Sequence, residues 1–495
     1  MTYTCKVLVV ATGLMLLAES AASAGDVCTV ENWGADHYLT PKKLMQGDSI
    51  PFAAAVNYPV GDEPFSVFSA DLDGDTDLDL AVANCYSHSV SILKNNGNGT
   101  FQARVDYEVG VGPYSIFCGD LDGDLDLDLA VGNLANYISI FRNNGNGTFD
   151  AAEHHEAGGQ SRFIFCSDLD GDDDLDLAVG NHGTDSISIL KNNGDGSFQP
   201  KVNYATVDPF SVFCGDLDGD LDLDLVVGGW FPDSVSILKN KGDGTFLPKV
   251  NYDAGSGPVS VFCEDLDHDL DLDLAAVDYE NDSVCILKNN GDGTLQSKEC
   301  YGTGSQPRSV FCADLDGDLD LDLAVANRYS NDVSILKNNG NATFQTATNY
   351  SVGDQPRSVF CADLDGDTDL DLAVVNNDDD NVSVLINLSK QVFIEEKGNV
   401  NTKSQFTLNQ NYPNPFNPQT VIEYFLKKPE KVILKVYNVK GQMIRKLIDA
   451  PQEKGLHKVT WDGTCDKGKE CSSGIYLYQV RTGDHRITRK MIKLK

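Results

Sequence analysis

Residues Asp71 to Leu80 read DLDGDTDLDL, and near-copies begin at Asp120, Asp168, Asp216, Asp265, Asp314 and Asp363, at steps of 48 or 49 residues. A fixed period of that size marks an array of small supersecondary units. Carboxylates hold the first, third, fifth and ninth positions of every copy. They are Asp71, Asp73, Asp75 and Asp79, then Asp120, Asp122, Asp124 and Asp128, then Asp168, Asp170, Asp172 and Asp176. The later copies contribute Asp216, Asp218, Asp220 and Asp224, then Asp265, Asp267, Asp269 and Asp273. The last two contribute Asp314, Asp316, Asp318 and Asp322, and Asp363, Asp365, Asp367 and Asp371. Four acids so close repel one another unless something positive sits among them. Oxygen ligands at alternating positions are how a calcium loop wraps its ion. The spacing therefore predicts calcium, up to seven ions, with these carboxylates as ligands.

Around each acidic loop lie four short runs. In the second unit they are Phe101 to Tyr107, Ser115 to Cys118, Asp128 to Val131 and Ile138 to Phe141. Each is short, β-branched or aromatic, and bounded by Gly, Asn, Asp or Pro, which predicts strands. No stretch carries a helical period. Four strands per repeat of this length fit a β-propeller blade better than the shorter coil of a β-helix. The fourth run joins the next unit through NNGNGTF at 95–101, with versions at 143, 192, 240, 289 and 338. Asn-Gly and Asp-Gly supply the positive φ of a tight hairpin, so this motif reads as structural. It is absent after the seventh unit, whereas an unmatched run, Phe52 to Tyr58, precedes the first. The N-terminal strand is thus expected to complete the last blade and remove the sheet edges. The predicted fold is all-β, a seven-bladed propeller over 51–387 closed by an N-terminal strand.

The 495 residues are too many for one core. Net charge is −37, and the seven loops hold 36 Asp. So acidic a chain is a poor candidate for nucleic acid. Residues 1–24 have Lys6, an apolar run from Val7 to Ala18 and a small-residue Ala22-Ser23-Ala24, the pattern of a removed export signal. That run is too short to span a membrane, and no other stretch approaches ~20 apolar residues. Residues 25–50 are read as a lead-in and 388–410 as a polar linker. From Lys403 to Lys495 there are 18 Lys plus Arg against 8 Asp plus Glu. This reversal marks a second domain over 411–495. NYPNPFNPQT opens it, and short strand candidates follow at Val421–Leu426, Val432–Tyr437, Lys458–Trp461, Gly474–Val480 and Thr488–Leu494. They predict a small β-sandwich.

Cys118, Cys166, Cys214, Cys263, Cys312 and Cys361 share one repeat position. Cys is a small buried hydrophobe, and blade-to-blade spacing exceeds the disulfide limit, so these read as core. Cys285 and Cys300 lie symmetrically about the hairpin at Asp292–Gly293, and Cys465 and Cys471 flank a short loop. Both pairs are candidate disulfides in an exported chain. The eight His make no zinc spacing, and there is no nucleophile elbow or phosphate loop. No catalytic residues are assigned.

The repeats resemble the FG-GAP/VCBS type of integrin α-chain propellers and bacterial surface proteins, over about 52–387. The resemblance implies calcium between the two innermost strands of each blade, on the first, third, fifth and ninth Asp and the seventh carbonyl. The family usually has Gly at position six, where this chain has Thr76, Leu125, Asp173, Leu221, Leu270, Leu319 and Thr368. Losing Gly there strains the turn. His268 replaces Gly at position four and makes the fifth loop the weakest match. The C-terminal part resembles the type A sorting domain of the type IX secretion system of Gram-negative bacteria. The matching residues are Asn411 to Pro418, Val436-Tyr437-Asn438, Gly441, Trp461-Asp462-Gly463, Ser473 to Tyr476 and Lys490-Met491-Ile492. That resemblance implies an Ig-like sandwich, engagement of the secretion machinery, cleavage near the linker, and a secreted or outer-surface location.

Strands that alternate in direction put the acidic loops and the NNGNGT hairpins at one face and the remaining connections at the other. The first face repeats nearly unchanged. The second varies and carries Tyr86, Tyr137, Trp230, Phe231, Tyr279 and Tyr329 in one set, and Phe65, Tyr114, Arg162, Arg308 and Arg357 in the other. Aromatics and Arg are enriched where proteins bind partners. The sequence thus predicts a binding or adhesion module for an extracellular glycan or protein, with its ligand on the variable face. A polysaccharide- or ester-cleaving enzyme and a structural spacer are the alternatives.

Overall fold

The computed structural model describes residues 49–389 apart from 207, 231 and 232, and then 406–408, 419–438, 443–465, 469, 471, 474–482 and 485–493. The expected signal 1–24, nearly all of the lead-in and the linker, Asn411 to Pro418, Phe231 and Gly441 lie outside the described residues. The chain divides into two compact units, Met1–Val392 and Phe393–Lys495.

The first unit is built of four-stranded antiparallel sheets, seven among the described residues. In the first complete repeat the strands are Pro64–Ala70, Asp79–Asn84, Ser89–Leu93 and Val105–Glu108, each paired with the next. The register is fixed by matching apolar positions, Val67 opposite Val82 and Ala81 opposite Ile92. Asp79–Asn84 and Ser89–Leu93 are buried on both faces, which explains their near-continuous apolar sequences. The outer strand Val105–Glu108 is solvated except at Tyr107, whose ring meets Phe149 of the next hairpin edge-on at 5.4 Å. The hairpin between the repeats turns through Gly97 and Gly99, both at φ +72°, and a Cβ on Gly97 would stand 2.3 Å from the Asp77 carboxylate.

The last sheet is assembled from both ends of the repeat array. Pro356–Ala362, Asp371–Asn376 and Asn381–Leu385 are joined at the outer edge by Val56–Pro59, with Val56 opposite Val384 and Phe52 bridging Asn387. One Phe per innermost strand, Phe68, Phe117, Phe165, Phe213, Phe262, Phe311 and Phe360, touches the next at centroid distances of 4.7–5.0 Å. Phe360 meets Phe68 at 4.8 Å, so the chain of contacts returns to its start.

The second unit is two packed sheets. Thr420–Leu426 pairs with Gly455–Trp461 and Phe406–Leu408, and Glu430–Asn438 lies between Met443–Gln452 and Gly474–Thr482, which pairs with His485–Lys493. Ile422, Tyr424, Leu434, Val436, Trp461 and Tyr478 form its core. The strand Met443–Gln452 is missing from the sequence reading. Two register shifts, at Leu434/Lys435 and Val436/Tyr437, break the alternation by which a strand is recognised.

Candidate functional site

Each innermost strand begins at the variable end and runs into an acidic loop, as Pro64–Ala70 runs into Asp71. In the loop Asp71 folds the backbone around itself, accepting the N–H groups of Gly74 at 2.8 Å and Thr76 at 2.9 Å. Asp79 is buried and accepts Asn95 N–H at 2.8 Å and Leu72 N–H at 3.3 Å. Burial pushes this ninth-position carboxyl up to about 7 in Asp79, Asp176, Asp224 and Asp273, about 6 in Asp128 and about 8 in Asp322 and Asp371. The sixth position has the left-handed conformation that the family's usual Gly implies, from φ +72° at Asp173 to +77° at Leu125 and Thr368. His268 also takes positive φ and reaches Asp320 of the next loop at 2.8 Å.

These loops converge carboxylates. Oxygens of Asp71, Asp73 and Asp75, and of Asp216, Asp218 and Asp220, lie within 4.8 Å of one another, as do those of Asp120, Asp122 and Asp128, and of Asp168, Asp170 and Asp176. The third-position Oδ1 atoms of Asp73, Asp122, Asp170, Asp218, Asp267 and Asp316 are buried with no hydrogen-bond partner. Orphaned buried oxygens beside further carboxylates suit a hard cation with oxygen ligands, so the donor set fits the expected calcium.

Two features at this end escape the sequence reading. The residue before each hairpin Asn is cationic in six repeats, and its charge meets the other oxygen of the third-position Asp. The lysine pairs, Lys94–Asp73, Lys191–Asp170, Lys239–Asp218, Lys288–Asp267 and Lys337–Asp316, lie at 2.5–3.0 Å, and Arg142 pairs with Asp122. In the seventh repeat Ile386 stands at that place, and burial and Asp367 push the Asp365 carboxyl up to about 6. The second feature is the hairpin Asn. Its side-chain amide donates to the carbonyl of the second loop residue one repeat back: Asn143 to Leu72, Asn192 to Leu121, Asn240 to Leu169, Asn289 to Leu217, Asn338 to Leu266 and Asn387 to Leu315, at 2.7–2.8 Å. Asn95 donates to Leu364 at 2.8 Å.

At the opposite end, the expected ligand residues separate into two groups. Phe65, Tyr114, Arg162, Arg308 and Arg357 come together with Phe163, Phe210 and Trp230. A cavity of about 350 Å³ is lined by Tyr114, Arg162, His182, Asp208, Phe210, Trp230 and Arg308. An adjoining depression takes in Phe65, Phe163, Val259 and Arg357. Ser66, Ser260, Ser309 and Ser358 also line the depression, and the phenylalanine ring lies two residues beyond them along the same strands. Arg162 lies over Tyr114 and Phe210 at 5.3 and 4.9 Å, Arg308 over Tyr279 at 4.6 Å, and Arg357 over Phe65 at 4.6 Å. Tyr279 packs at a tilt against Trp230 with centroids 4.8 Å apart, but it is itself buried, lines neither hollow and donates its hydroxyl to Gln306, so it backs Trp230 and is not an exposed platform. Tyr86 and Tyr329 are exposed but line neither hollow, and Tyr137 packs on His154 while its hydroxyl accepts from Val111 N–H. Phe65, Tyr114, Arg162, Arg308 and Arg357 stand on the inner strands, Trp230 joins them from a connection, and Tyr137 opens the strand Tyr137–Phe141.

The FG-GAP-like repeat family matches residues 71–131, 168–227, 216–276, 265–325 and 314–374, which together span more than half of the chain and take in all seven acidic loops. The chain belongs to the FG-GAP-like repeat family. Residues 419–485 match the FlgD Ig-like domain, in accord with the two packed sheets there. No curated protein sequence matches significantly. Among solved structures, BBS1N in complex with ARL6DN, soaked with mercury, is 15% identical with a TM-score of 0.50, covering 68% of this chain and 96% of that one. That likeness is one of fold. An Agrocybe aegerita lectin specific for non-reducing terminal N-acetylglucosamine is 19% identical, with a TM-score of 0.45 over 69% of this chain and 96% of its own. A Staphylococcus aureus virginiamycin B lyase is 12% identical, with a TM-score of 0.48 over 68% and 99%. Both superpose too loosely to inform function.

The cysteines of this FG-GAP chain fall into three kinds. Cys285 and Cys300 face each other across adjacent strands and are disulfide-bonded. The six repeated cysteines are buried thiols, their pKa raised by burial. Cys465 and Cys471 do not form the expected bridge. The hairpin register sets Cys465 N–H against the Lys469 carbonyl and Cys471 N–H against the Gly463 carbonyl, so the two cysteines do not stand directly opposite each other.

Proposed function

We propose that this FG-GAP chain is an exported, calcium-stabilised binding module whose ligand docks at the variable end of the inner strands. The observation that carries this reading is the clustering of Arg162, Arg308 and Arg357 with Trp230, Tyr114 and Phe65 around a cavity, at the end where the repeat sequence is least uniform. Structural residues in a repeat array recur, and a recognition surface breaks the repetition. The propeller is taken as seven-bladed and closed by Val56–Pro59, a reading supported by the mixed last sheet and by the Phe360–Phe68 contact. Calcium would be held by the first, third, fifth and ninth carboxylates of each loop and would supply the positive charge the orphaned oxygens lack. Export through a type IX route, with the FlgD-like domain as its sorting signal, and a cell-surface or secreted location rest on the sequence resemblance.

The test is a glycan and matrix-protein array probed with wild type and Trp230→Ala. A ligand that binds wild type and is lost in the variant, with the melting temperature unchanged, is the expected result. A ligand lost instead on changing hairpin residues such as Asn96 and Asn98 puts the site at the acidic end. The enzyme alternative has one arrangement in its favour, the contact of His182 Nδ1 with the Asp208 carboxylate inside the cavity, by which a carboxylate orients an imidazole as a general base. Cleavage of a polysaccharide that disappears in His182→Ala would replace binding by catalysis.

A further inference from the structure

The three arginines at the variable end are anomalous. The chain carries −37 net charge, and nearly every loop offers carboxylates. Yet the Nε atoms of Arg162, Arg308 and Arg357 are buried without a hydrogen-bond partner. Among the described residues the one carboxylate lining the cavity, Asp208, is already paired with His182. Arg357 Nη2 donates a long hydrogen bond to Asn377 Oδ1, at 3.4 Å. Aromatic rings under the guanidinium planes offset part of the desolvation, but a ring face does not use the in-plane N–H donors. Arg308 is hydrogen-bonded to Tyr279 and Arg357 to Asn377, and it is the three Nε–H groups that are left for something that enters the cavity.

The electrostatics agree with the geometry. Burial lowers the Arg308 guanidinium from its ordinary value, and burial together with the Arg308 and Arg328 charges lowers Arg357 to about 10. Like charges are thus held close together away from water, an arrangement a protein sustains where a bound anion relieves it.

The size and the walls narrow the ligand. A cavity of about 350 Å³ lies at the small end of the range for ligand pockets, roughly 300–1,000 Å³. The flat walls, Tyr114, Phe210 and Trp230, suit the apolar face of a pyranose ring, and a guanidinium fork matches an oxyanion with two coplanar acceptors. We propose that this cluster binds an acidic sugar, with Arg308 and Arg357 on the carboxylate or sulfate and the aromatic walls on the ring. The proposal rests on the variable end being the ligand end and adds the chemical class of the ligand.

The experiment is calorimetric titration of the full-length chain with three series at matched ionic strength: oligogalacturonates, sulfated glycosaminoglycan oligomers and neutral galactose oligomers. The expected result is binding of one acidic series, with the neutral series at least tenfold weaker. The uronate and sulfate arms decide which anion is held. Arg308→Gln with Arg357→Gln should weaken acidic binding at least tenfold, and the corresponding double change to Lys should restore only part of it, since charge returns without the planar fork. The Gln variant should melt no lower than wild type, because repulsion is relieved. Should it fail to fold, wild type still decides, since free galacturonate or galactose 6-sulfate must raise its melting temperature more than galactose does. Equal affinity for neutral and acidic series, no binding of either acidic series, or unchanged binding in the folded Gln variant overturns the proposal. Neutral binding that is lost in Trp230→Ala and kept in the Gln variant overturns the acidic class alone and leaves the ligand end standing. Acidic binding that survives both variants moves the ligand to another surface.

Discussion

The two ends of the inner strands treat charge in opposite ways. At the acidic end almost every polar group is answered from within the chain. Asp71 is wrapped by its own loop, Asp79 takes two backbone N–H groups, Lys94 meets Asp73, and Asn95 reaches across to Leu364. What is left over is the third-position oxygen in each of six loops, joined in the fifth loop by one oxygen of Asp273. At the other end Arg162 and Arg308 line a cavity, Arg357 lines the adjoining depression, and the single lining carboxylate is engaged by His182. The first end is built to hold repeats together, and the second is left incomplete in a way that differs from strand to strand. Uniform incompleteness points to a cation common to the loops, and irregular incompleteness points to one ligand.

The largest expected effect follows from the uniform end. One site filled at a hundredfold excess over its Kd stabilises by about 2.7 kcal/mol, and several such sites act together. Calcium should therefore raise the melting temperature of chelated protein by many degrees, and mass spectrometry should count several ions per chain. A melting temperature that ignores both chelator and calcium would break the contrast, since the acidic end would then be complete without metal. The seventh loop sharpens it. With Ile386 in place of the cation found in the other six, Asp365→Asn should reduce calcium affinity more than Asp218→Asn does.

Next in size is the hairpin Asn. Asn240 is buried, and its amide donates to the carbonyls of Leu169 and Leu223. Asn240→Ala leaves both acceptors unanswered in a dry place, at a cost of about 2–4 kcal/mol, read as a drop in the urea midpoint. Tyr329→Ala at the variable end should stay within about 0.5 kcal/mol, as an exposed side chain does. Equal losses would mean that both ends are structural.

These residues also mark what was legible in advance. The acidic loops declare themselves because one residue type recurs at a fixed phase, and the alternation and turn residues around them give the strands. The hairpin Asn was read for its turn propensity, which is sufficient to explain NNGNGT, so its second task as a tie between repeats left no separate signal. The cation beside it was available as LKNNG and FRNNG against LINLS at 385–389, but its partner Asp73 lies 21 residues away and becomes adjacent only through the strand register. At the variable end, composition picked out aromatics and arginines together. Position along the chain does not decide which of them meet: Phe65 and Arg308 stand on inner strands and Trp230 in a connection, yet all line the hollows, whereas Tyr86, in the same kind of connection as Trp230, does not.

A smaller effect concerns pH. Burial raises the ninth-position carboxyls from about 4 toward 6 to 8 in the metal-free fold. Between those values the unfolded chain has released its proton while the folded chain retains it, so unfolding releases protons and stability falls as pH rises. The contribution is fully present below about pH 4 and lost by about pH 8. Calcium should reverse the slope over the same window, because it binds the deprotonated carboxylates. Two denaturation series, one with chelator and one with calcium, should therefore diverge as pH rises. Parallel curves would show that the ninth position takes no part in metal binding.

The smallest prediction tests whether the acidic end gives up stability for shape. Leu221 stands at φ +75° at the tip of its loop and is 83% exposed, so its side chain gains little from packing. A left-handed conformation costs an L residue roughly 1–2 kcal/mol, and Gly adopts it without that penalty but loses more chain entropy on folding, roughly 0.5–1 kcal/mol. Leu221→Gly should then stabilise the metal-free protein by about 0.5 kcal/mol, the difference between those two effects. Leu125, Leu270 and Leu319 occupy the same position, with φ of +75° to +77° and similar exposure, so the fourfold Gly variant should show the sum and lift a small shift clear of experimental error. If the turn is strained chiefly around a bound ion, the gain should be larger in calcium than in chelator, and calcium affinity should rise with it. A loss of stability in both conditions would mean that the exposed leucines are covered by something in the native state, and the uniform end would then carry a contact surface of its own.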